Sequence, residues 1–423
     1  MKVLVVGGGG REHAIAWKIK QSSRVKKIYA VPGNPGIAEF AECIALPADD
    51  VAAITELAVK EKIDLAVVGP EAPLVKGLVD ALTAKGIKAF GPSALAAEIE
   101  GSKVFMKDLL KKYNLPTAGY AVFTEAAEAL AYLKEKGAPI VVKADGLAAG
   151  KGVIVASTLE EAEEAVCDML ERNAFGDSGK RIIIEDCMQG EEVSLLAFTD
   201  GETVVPMVAA QDHKRIFDGD KGLNTGGMGA YSPVPHISEE FISQVVKNVM
   251  EPVVRAMKAE GRLYKGVLYA GLMLTADGPS ILEFNARFGD PETQVILPRL
   301  KSDLVDVMEA VVDGKLADCP VEWHAANAVC VVMASEGYPG SYPKGKVISG
   351  LEELSDLSDV VVFHAGTAKK DGEVVTSGGR VLGVTALADD LKAARDKAYA
   401  AVEKISFSGV QYRHDIGDKA LKR

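Results

Sequence analysis

The segment Lys2–Lys20, KVLVVGGGGREHAIAWKIK, is the stretch from which the fold prediction starts. Lys2–Val6 is a short apolar run typical of a buried strand, and Glu12–Lys20 follows it as a predicted helix. The four glycines Gly7–Gly10 join the two elements, although a tight turn needs fewer. Bare backbone N–H groups at the start of a helix favour an anion. We therefore prefer a phosphate site to a plain turn, and the spacing excludes the dinucleotide pattern G-x-G-x-x-G.

The same alternation of strand and helix continues outward from this segment. Predicted strands at Lys27–Val31, Leu65–Val68 and Ala89–Phe90 alternate with predicted helices at Ala52–Lys60 and Leu74–Ala84. Such a series favours a parallel sheet covered by helices. Turns rich in glycine and proline follow the strands at 32–36 and 69–73, where open α/β sheets bind ligands. The sequence thus predicts an α/β multidomain protein whose first domain binds a substrate.

The remaining sequence divides into three further parts. A basic helix precedes Leu115-Pro116, a natural break, and a smaller α+β unit follows it. A strand-rich section begins near Glu191, and the last hundred residues contain more predicted strands. We predict an N-terminal parallel α/β domain (1–101), a central domain (102–117 and 191–325), a small lid domain (118–190) and a C-terminal β-rich domain (326–423).

Composition limits the kind of partner. The net charge of −12 argues against nucleic-acid binding, and the apolar runs are shorter than the roughly 20 residues of a membrane span. The five cysteines are scattered, odd in number and without Cys-x-x-Cys spacing, which favours reduced thiols. The N-terminus shows no signal-peptide pattern. We expect a cytoplasmic protein that takes small molecules and binds neither nucleic acid nor membrane.

The segment Glu283–Gln294, EFNARFGDPETQ, carries an unusual amount of charge for the end of a strand. Side chains alternate along a strand, so Glu283 and Asn285 share a face as two oxygen ligands suited to Mg²⁺. Arg287 continues on that face, where its planar fork can hold a carboxylate or a phosphate. The alternative is a polar strand end whose charges pair with one another.

Two loops further back in the chain favour nucleotide binding. Lys143 ends a predicted strand, and the small residues of Asp145–Gly152 allow backbone amides to approach a triphosphate. This loop is not a Walker A motif, because Gly152 occupies the Ser/Thr position, and a flexible surface hairpin is the alternative. Glu185–Glu192 follows another strand and suits a hinge that holds adenine and ribose, although acidic turns after strands are common.

Two polar clusters complete the set of motifs. In Gln211–Arg215 we favour Lys214 as a fixed cation near a phosphate over His213 as a general base. Ser377–Arg380 has similar character and would bring an arginine over the site from the last domain. The chain contains no G-x-S-x-G elbow, so serine hydrolase chemistry has no support in the sequence.

Taken in order, these motifs resemble the ATP-grasp ligases, and specifically the glycinamide ribonucleotide synthetase family. The resemblance runs nearly end to end and rests on five motifs: 8–14 (GGGREHA), 69–74 (GPEAPL), 211–215 (QDHKR), 224–233 (NTGGMGAYSP) and 287–294 (RFGDPETQ). One departure is that the strand 269–274 lacks the acidic metal ligand that many ATP-grasp enzymes carry there. Water and phosphate oxygens would then complete the metal shell.

The resemblance implies ATP-dependent ligation of glycine to 5-phosphoribosylamine in purine biosynthesis, through a glycyl phosphate, by a monomer or weak dimer. It implies Mg²⁺ (or Mn²⁺) at Glu283 and Asn285, with Arg287, Lys214 and Asp212 as catalytic residues. ATP would contact Lys103, Lys143, Gly146, Gly150, Lys151, Gly152, Glu185, Asp186, Met188 and Glu192. The other substrates would contact Gly9, Gly10, Arg11, Glu12, Asn34, Glu71, Asp290, Pro291, Glu292 and Arg380. A different ATP-grasp carboxylate–amine ligase and a non-catalytic nucleotide-binding regulator are the alternatives.

Overall fold

The computed structural model describes residues 1–148, 152–172, 174–354 and 356–422. Its N-terminal strands are β1 (Lys2–Gly7), β2 (Lys27–Pro32), β3 (Glu42–Cys43), β4 (Leu65–Val68) and β5 (Lys88–Phe90). They form one parallel sheet in the order β3-β2-β1-β4-β5. The accompanying helices are α1 (Gly10–Ile19), α2 (Val51–Glu61), α3 (Glu71–Val75), α4 (Leu78–Ala84) and α5 (Ala94–Gly101).

Strand β1 lies at the centre of this sheet because it pairs with β2 on one side and β4 on the other. Its apolar residues Val3–Val6 are all buried, as a continuous run without alternation predicts for a strand covered on both faces. The α/β prediction for this part is confirmed. The predicted helix Leu74–Ala84 is instead two helices, because Gly77 takes a left-handed conformation (φ +84°) that ends α3 before α4 begins.

Helix α6 (Lys103–Lys112) leads into a second sheet with its own core. The elements there are β6 (Tyr120–Phe123), α7 (Ala126–Lys136), β7 (Ile140–Ala144), β8 (Val153–Ala156), α8 (Leu159–Leu170) and β9 (Ile182–Asp186). The strands pair antiparallel in the order β6-β9-β7-β8, and both helices pack against the same core.

The third sheet is antiparallel, in the order β11-β10-β16-β17. Its strands are β10 (Glu191–Thr199), β11 (Val204–Pro206), β16 (Gly266–Thr275) and β17 (Gly278–Asn285). Between β11 and β16 lie β12 (Gln211–Asp212), β13 (Arg215–Phe217), β14 (Lys221–Asn224), β15 (Gly229–Ser232), α9 (Glu239–Val245) and α10 (Glu251–Ala259). Helices α11 (Thr293–Ile296) and α12 (Leu304–Asp313) follow β17.

The C-terminal elements are β18 (Asn327–Ser335), β19 (Val360–His364), β20 (Thr367–Lys370), β21 (Glu373–Thr376), β22 (Arg380–Ala388), α13 (Leu391–Val402), β23 (Val410–Gln411) and α14 (Asp418–Leu421). Their sheet has the order β12-β15-β18-β22-β19, with β23 beside β18. Strands β12 and β15 come from the section of the chain between β11 and β16. The chain therefore passes from the third sheet into the C-terminal sheet between β11 and β12. Among the residues described, the helices lack the combined length and apolarity that traversing a lipid bilayer requires.

An aromatic cluster joins β19 to the N-terminal domain. The Phe363 ring lies edge-on to His13 and Trp17 of α1, with centroid distances of 5.5 and 5.8 Å. The backbone N–H of His364 donates to Nδ1 of His13 over 2.8 Å. Burial lowers the pKa of His13 to about 3 and that of His364 to about 4, so both rings are neutral at pH 7. The pair of His13 and His364 at this contact is therefore uncharged.

We expect Phe363→Ala to lower the free energy of unfolding by about 3–5 kcal/mol, since it deletes a fully buried ring between two domains. Leu95→Ala is the matched control, because Leu95 is 59% exposed and its loss should change stability by less than about 0.5 kcal/mol. Guanidinium denaturation of both variants compares the two. Equal shifts of the midpoint would contradict the assigned junction.

Candidate active site

A cleft of about 950 Å³ lies where the N-terminal domain, the 118–190 unit, the third sheet and the C-terminal sheet meet. Its walls come from the turns after the N-terminal strands, from β7 and β9, from β17 and from the loops around β12 and β22. Residues predicted from sequence that line it are Arg11, Glu71, Lys103, Lys143, Gly152, Glu185, Asp186, Met188, Glu192, Asp212, Lys214, Glu283, Asn285, Arg287, Asp290, Glu292 and Arg380. Most of the predicted site residues thus lie in one cavity.

A β-bulge determines which way the end of β17 faces. Gly271 pairs with Glu283, but the next residue, Leu272, pairs with Ile281, so Leu282 is the extra residue. Phe284 is buried, and Glu283 and Asn285 on either side of it line the cleft. Gly271 belongs to the strand that lacks an acidic residue, and a Cβ there would come within 3.3 Å of Cγ of Glu283. A small residue at this position leaves the Glu283 side chain its space.

Glu283 is surrounded by positive charge. Burial raises the pKa of this carboxyl, but Lys214, Lys143 and Lys103 oppose it and hold the pKa below its usual value. Burial also lowers the pKa of the Lys103 ammonium, against the attraction of Glu283. Two of these lysines also have carboxylate partners of their own, Lys143 with Glu185 and Lys214 with Glu192. Three ammonium groups close to Glu283 suit a polyanion placed beside it.

Glu185 sits between two buried lysines. Its Oε2 lies 3.0 Å from Nζ of Lys143 and 3.1 Å from Nζ of Lys107, which also donates to Thr117 over 2.7 Å. Burial, together with the neighbouring Lys143, lowers the pKa of Lys107 to about 8 against the pull of Glu185. The other oxygen, Oε1 of Glu185, is buried and has no hydrogen-bond partner within the part of the chain that is described. A buried unpaired acceptor in a cleft wall is a place for a ligand's N–H donor.

Asp145 ties the start of α6 to the glycine-rich loop. It accepts from the backbone N–H of Val104 (2.7 Å), from the Ser102 hydroxyl (3.0 Å) and from Nε of Arg181 (2.8 Å). Lys103 therefore points into the cleft from a fixed helix start. Gly146 lies in the wall of a smaller pocket next to this loop. The predicted residues Gly150 and Lys151 fall outside the described residues.

Arg287 is held between two carboxylates from the N-terminal domain. Its Nη2 lies 3.1 Å from Glu100 and its Nε 3.3 Å from Glu71. Burial raises the pKa of Glu100, whose side chain also accepts the Ala286 N–H over 2.7 Å. Burial opposes ionisation of Glu71 as well, but Arg287 and Arg11 hold its pKa at about 2. Glu71 is therefore charged at neutral pH and is the more exposed of the two partners.

Asp212 and Lys214 face the same cleft from β12 and the loop after it. Nζ of Lys214 lies 2.8 Å from Glu192, and the nearby charges of Asp212 and Glu192 raise its pKa although burial lowers it. Burial raises the pKa of Asp212 to about 7, with Lys214 opposing the rise and Glu292 adding to it. Glu292 itself accepts from the Tyr269 hydroxyl over 2.7 Å. A carboxyl near neutral pKa beside a permanent cation can exchange a proton at physiological pH.

The predicted substrate residues of the N-terminal turn have two kinds of placement. Arg11 lines the cleft, pairing with Glu12 at 2.6 Å and donating to the Phe288 carbonyl at 3.2 Å. Glu12 accepts the Gly9 N–H over 2.8 Å and so caps α1, as a capping box does. Asn34 donates to the carbonyls of Gly8 (3.0 Å) and His364 (2.8 Å). Glu12 and Asn34 thus stabilise the glycine-rich turn and do not line the cleft.

Asp290 and Arg380 close this side of the cleft. Nη1 of Arg380 lies 3.3 Å from the Asp290 carboxylate and donates to the Gly226 carbonyl over 2.7 Å. A Cβ on Gly10 would come within 2.6 Å of Gln294, and one on Gly227 within 2.4 Å of Pro291, so both glycines permit close packing of the walls. Arg380 therefore reaches the site from the C-terminal sheet, as its sequence predicts.

Sequence reasoning missed several cleft residues. Glu100 and Tyr269 sit in an ordinary helix and an ordinary buried strand, with no local pattern to single them out. Asp220 and Lys419 also line the cleft, and Lys419 is distant in sequence from every motif. Only their tertiary placement identifies them.

The donor set at the end of β17 fits a hard divalent cation. Glu283 supplies a carboxylate and Asn285 a carboxamide oxygen, which Nη2 of Arg287 already contacts at 3.3 Å. Within the described ranges, no group of three or more His, Cys, Asp or Glu side chains is arranged to hold a metal. A two-residue oxygen set that leaves positions for water and phosphate oxygens is typical of Mg²⁺ sites.

The fold and the cleft define the class of protein as ATP-grasp. The ATP-grasp (A) domain of phosphoribosylglycinamide synthetase matches residues 101–293, and the N and C domains of the same family match residues 1–100 and 328–419. The chain belongs to the phosphoribosylglycinamide synthetase family.

Named relatives agree over the full length. Phosphoribosylamine–glycine ligase of Escherichia coli O6:H1 is 55% identical over 427 residues, covering 100% of this chain and 99% of the relative. The protein of the same name from Halalkalibacterium halodurans is 54% identical and covers 100% and 97%. The crystal structure of phosphoribosylamine–glycine ligase from Thermotoga maritima is similar with a TM-score of 0.86, at 35% identity and coverage of 98% and 100%.

We expect the Asp212 carboxyl to titrate near pH 7 and its pKa to rise further in Lys214→Met, because that change removes the adjacent cation. Infrared difference spectra between acid and neutral pH measure the protonated carboxyl, and subtraction of Asp212→Asn assigns the band. An Asp212 pKa near 4 in the unmodified protein would contradict this electrostatic picture.

Proposed function

We propose that this protein ligates glycine to 5-phosphoribosylamine at the expense of ATP, forming glycinamide ribonucleotide, ADP and phosphate in purine biosynthesis. The observation that carries the proposal is one cleft in which Lys103, Lys143 and Lys214 lie near Glu283 while Arg287 lies two residues beyond Asn285. A phosphate donor and a carboxylate substrate can meet there. Family membership and full-length relatives of that name support the same reaction.

ATP fits the part of the cleft between β7–β9 and β17. The unpaired Oε1 of Glu185 suits the adenine amino group, and Glu192 at the start of β10 suits the ribose hydroxyls. Lys103, Lys143 and the loop at Gly146–Gly152 suit the phosphates. When bound, Mg²⁺ (or Mn²⁺ in its place) at Glu283 and Asn285 would neutralise phosphate charge.

In the first step, a carboxylate oxygen of glycine attacks the γ-phosphorus, and the bond from that phosphorus to ADP breaks. Arg287 is suited to orient the glycine carboxylate, because Glu71 is the more exposed of its two partners and can be exchanged for it. Glu100 remains as the second partner and keeps the guanidinium in place. Positioning and electrostatic stabilisation account for the rate of such a transfer.

In the second step, the amine of 5-phosphoribosylamine attacks the carbonyl carbon of glycyl phosphate, and the carbon–oxygen bond to phosphate breaks. The attacking amine must lose a proton, and Asp212 is suited to accept it, since its pKa is raised to about 7. Lys214 faces the departing phosphate as a permanent cation. The glycine-rich turn at Gly9–Gly10, with Arg11, Asp290 and Arg380, is suited to the phosphoribosyl group.

Wider properties of the protein follow as proposals. The net charge of −12 supports a protein that binds neither nucleic acid nor a membrane surface. We also propose that it acts in the cytoplasm as a monomer or weak dimer. The separate core of the 118–190 unit supports its assignment as a lid on the central domain of 102–117 and 191–325. Residues 1–101 and 326–423 are the proposed substrate-facing N-terminal and C-terminal domains.

The reaction is tested by measuring ADP release with ATP, Mg²⁺, glycine and 5-phosphoribosylamine generated in the assay from ribose 5-phosphate and ammonia. We expect ADP only when both glycine and the amine are present. Turnover with other carboxylates or amines, but not with this pair, would favour a different ATP-grasp ligase. ATP binding without any turnover would favour the regulatory alternative.

Glu283→Ala should reduce kcat by about 100-fold or more, because it removes the carboxylate proposed to hold the Mg²⁺ that would neutralise phosphate charge. The fold should persist, as circular dichroism and the unfolding midpoint will report. Glu128→Ala, at an exposed position of α7, is the matched control and should retain full activity. Full activity of Glu283→Ala at ordinary Mg²⁺ would refute the metal assignment.

A further inference from the structure

The guanidinium of Arg413 is buried, and this residue is distant in sequence from every predicted motif. Its side chain is 1% exposed, and each of its nitrogens has an oxygen partner. Nε and Nη2 donate to the two oxygens of Asp415 over 2.7 and 2.8 Å. Nη1 donates to Asp220 over 2.9 Å and to the backbone carbonyl of Arg215 over 3.0 Å. Such complete pairing is what makes a buried charge tolerable.

The neighbours of Arg413 contact the same target, which is the hairpin formed by β13 and β14. Asp415 accepts the Gly219 N–H over 2.8 Å, and the His414 N–H donates to Asp218 over 2.8 Å. The Gly417 N–H approaches Nε2 of His213 at 3.4 Å. We call residues 413–417 the anchor segment. These contacts reach His213, just before the hairpin, and residues 215–220 within it.

The anchor segment is itself fixed to the C-terminal domain by helix α13. Arg395 donates to the carbonyls of His414 (2.8 Å) and Ile416 (3.1 Å). The Tyr399 hydroxyl donates to the Arg413 carbonyl over 2.8 Å. A rigid helix therefore carries the segment that grips the hairpin.

The hairpin follows directly after the cleft residues Asp212 and Lys214. The Lys214 carbonyl accepts from the backbone N–H and the hydroxyl of Thr225, both at 2.8 Å, at the other end of the hairpin. Arg413 holds the next carbonyl, that of Arg215. The backbone around Lys214 is thus held at two adjacent points, one from within the hairpin and one from the C-terminal domain.

We propose that Arg413 is a positioning residue, which acts through the hairpin to hold Lys214 at the cleft. This role rests on the proposed function, because it deepens the site of that reaction. Ordinary stabilisation of the domain contact is the competing explanation. It would cost stability but would not couple Arg413 to Lys214 in catalysis.

A double-mutant cycle separates the two explanations. Arg413→Lys keeps the charge but cannot make the forked contact with Asp415, and we expect it to lower kcat by about 10-fold, as misplacement of a catalytic group does. In the Lys214→Met background the same change should cost less than about 2-fold, because its effect passes through Lys214. Equal factors in the two backgrounds would overturn the proposal.

Arg24→Met is the matched control. Arg24 also pairs with two carboxylates across domains, Asp306 and Glu309, but it is not among the residues lining the cleft. Its replacement should leave kcat unchanged in both backgrounds. If Arg413→Lys does not fold, Asp415→Asn takes its place in the cycle, since Asp415 touches both Arg413 and Gly219 without lining the cleft.

Hydrogen exchange supplies a readout that does not depend on the reaction. Arg413→Lys should speed amide exchange in residues 212–225 relative to β1, whatever substrate the enzyme uses. Unchanged exchange there would overturn the proposal by itself. Absence of ADP formation in the unmodified protein would instead refute the proposed function, and the exchange result would still decide the role of Arg413.

Discussion

The ion pairs of Arg287 join the N-terminal domain to the end of β17, and the rest of the cleft depends on them. Glu71 of α3 and Glu100 of α5 hold the guanidinium from two helices, and Glu100 also fixes the backbone of Ala286. Loss of the guanidinium would leave both carboxylates in a buried place without their cation, which costs stability. The pairing therefore joins the first domain to the strand that carries Glu283 and Asn285.

The remaining charges of the cleft hold two carboxyl groups in different states. Lys103, Lys143 and Lys214 keep the pKa of Glu283 below its usual value against the effect of burial, whereas burial, with Glu292 adding to it, raises the pKa of Asp212 to about 7. One carboxylate is thus kept charged, and another exchanges a proton near neutral pH. Environments that push two carboxyl groups apart in pKa assign them different roles. This difference is what allows one cleft to bind a polyphosphate and to accept a proton.

Much of this architecture is predictable because it follows from local patterns of apolar and polar residues in the sequence. Continuous apolar runs predict β1 and β4, and the alternation along β17 brings Glu283 and Asn285 to one face. Non-local features are not predictable in this way. The break at Gly77 depends on one backbone conformation, and the bulge at Leu282 depends on the partner strand. Strand β15 pairs with β18 and brings β12, its other neighbour, into the C-terminal sheet, which no local pattern indicates.

The site follows the same division. Arg287, Lys214 and the glycine-rich turns stand out because charge or flexibility is concentrated in a few positions. Glu100 and Arg413 do not stand out, because neither belongs to a recognisable motif. The importance of each comes from a partner distant in the chain.

The central proposal is that a glycine carboxylate oxygen becomes bonded to the transferred phosphorus. The most direct measurement uses glycine labelled with ¹⁸O in its carboxylate, ATP and 5-phosphoribosylamine, with mass analysis of the released phosphate. We expect one ¹⁸O atom in each phosphate, because the glycine oxygen that attacks phosphorus stays bonded to it when the amide forms. Phosphate without the label would contradict a glycyl phosphate intermediate.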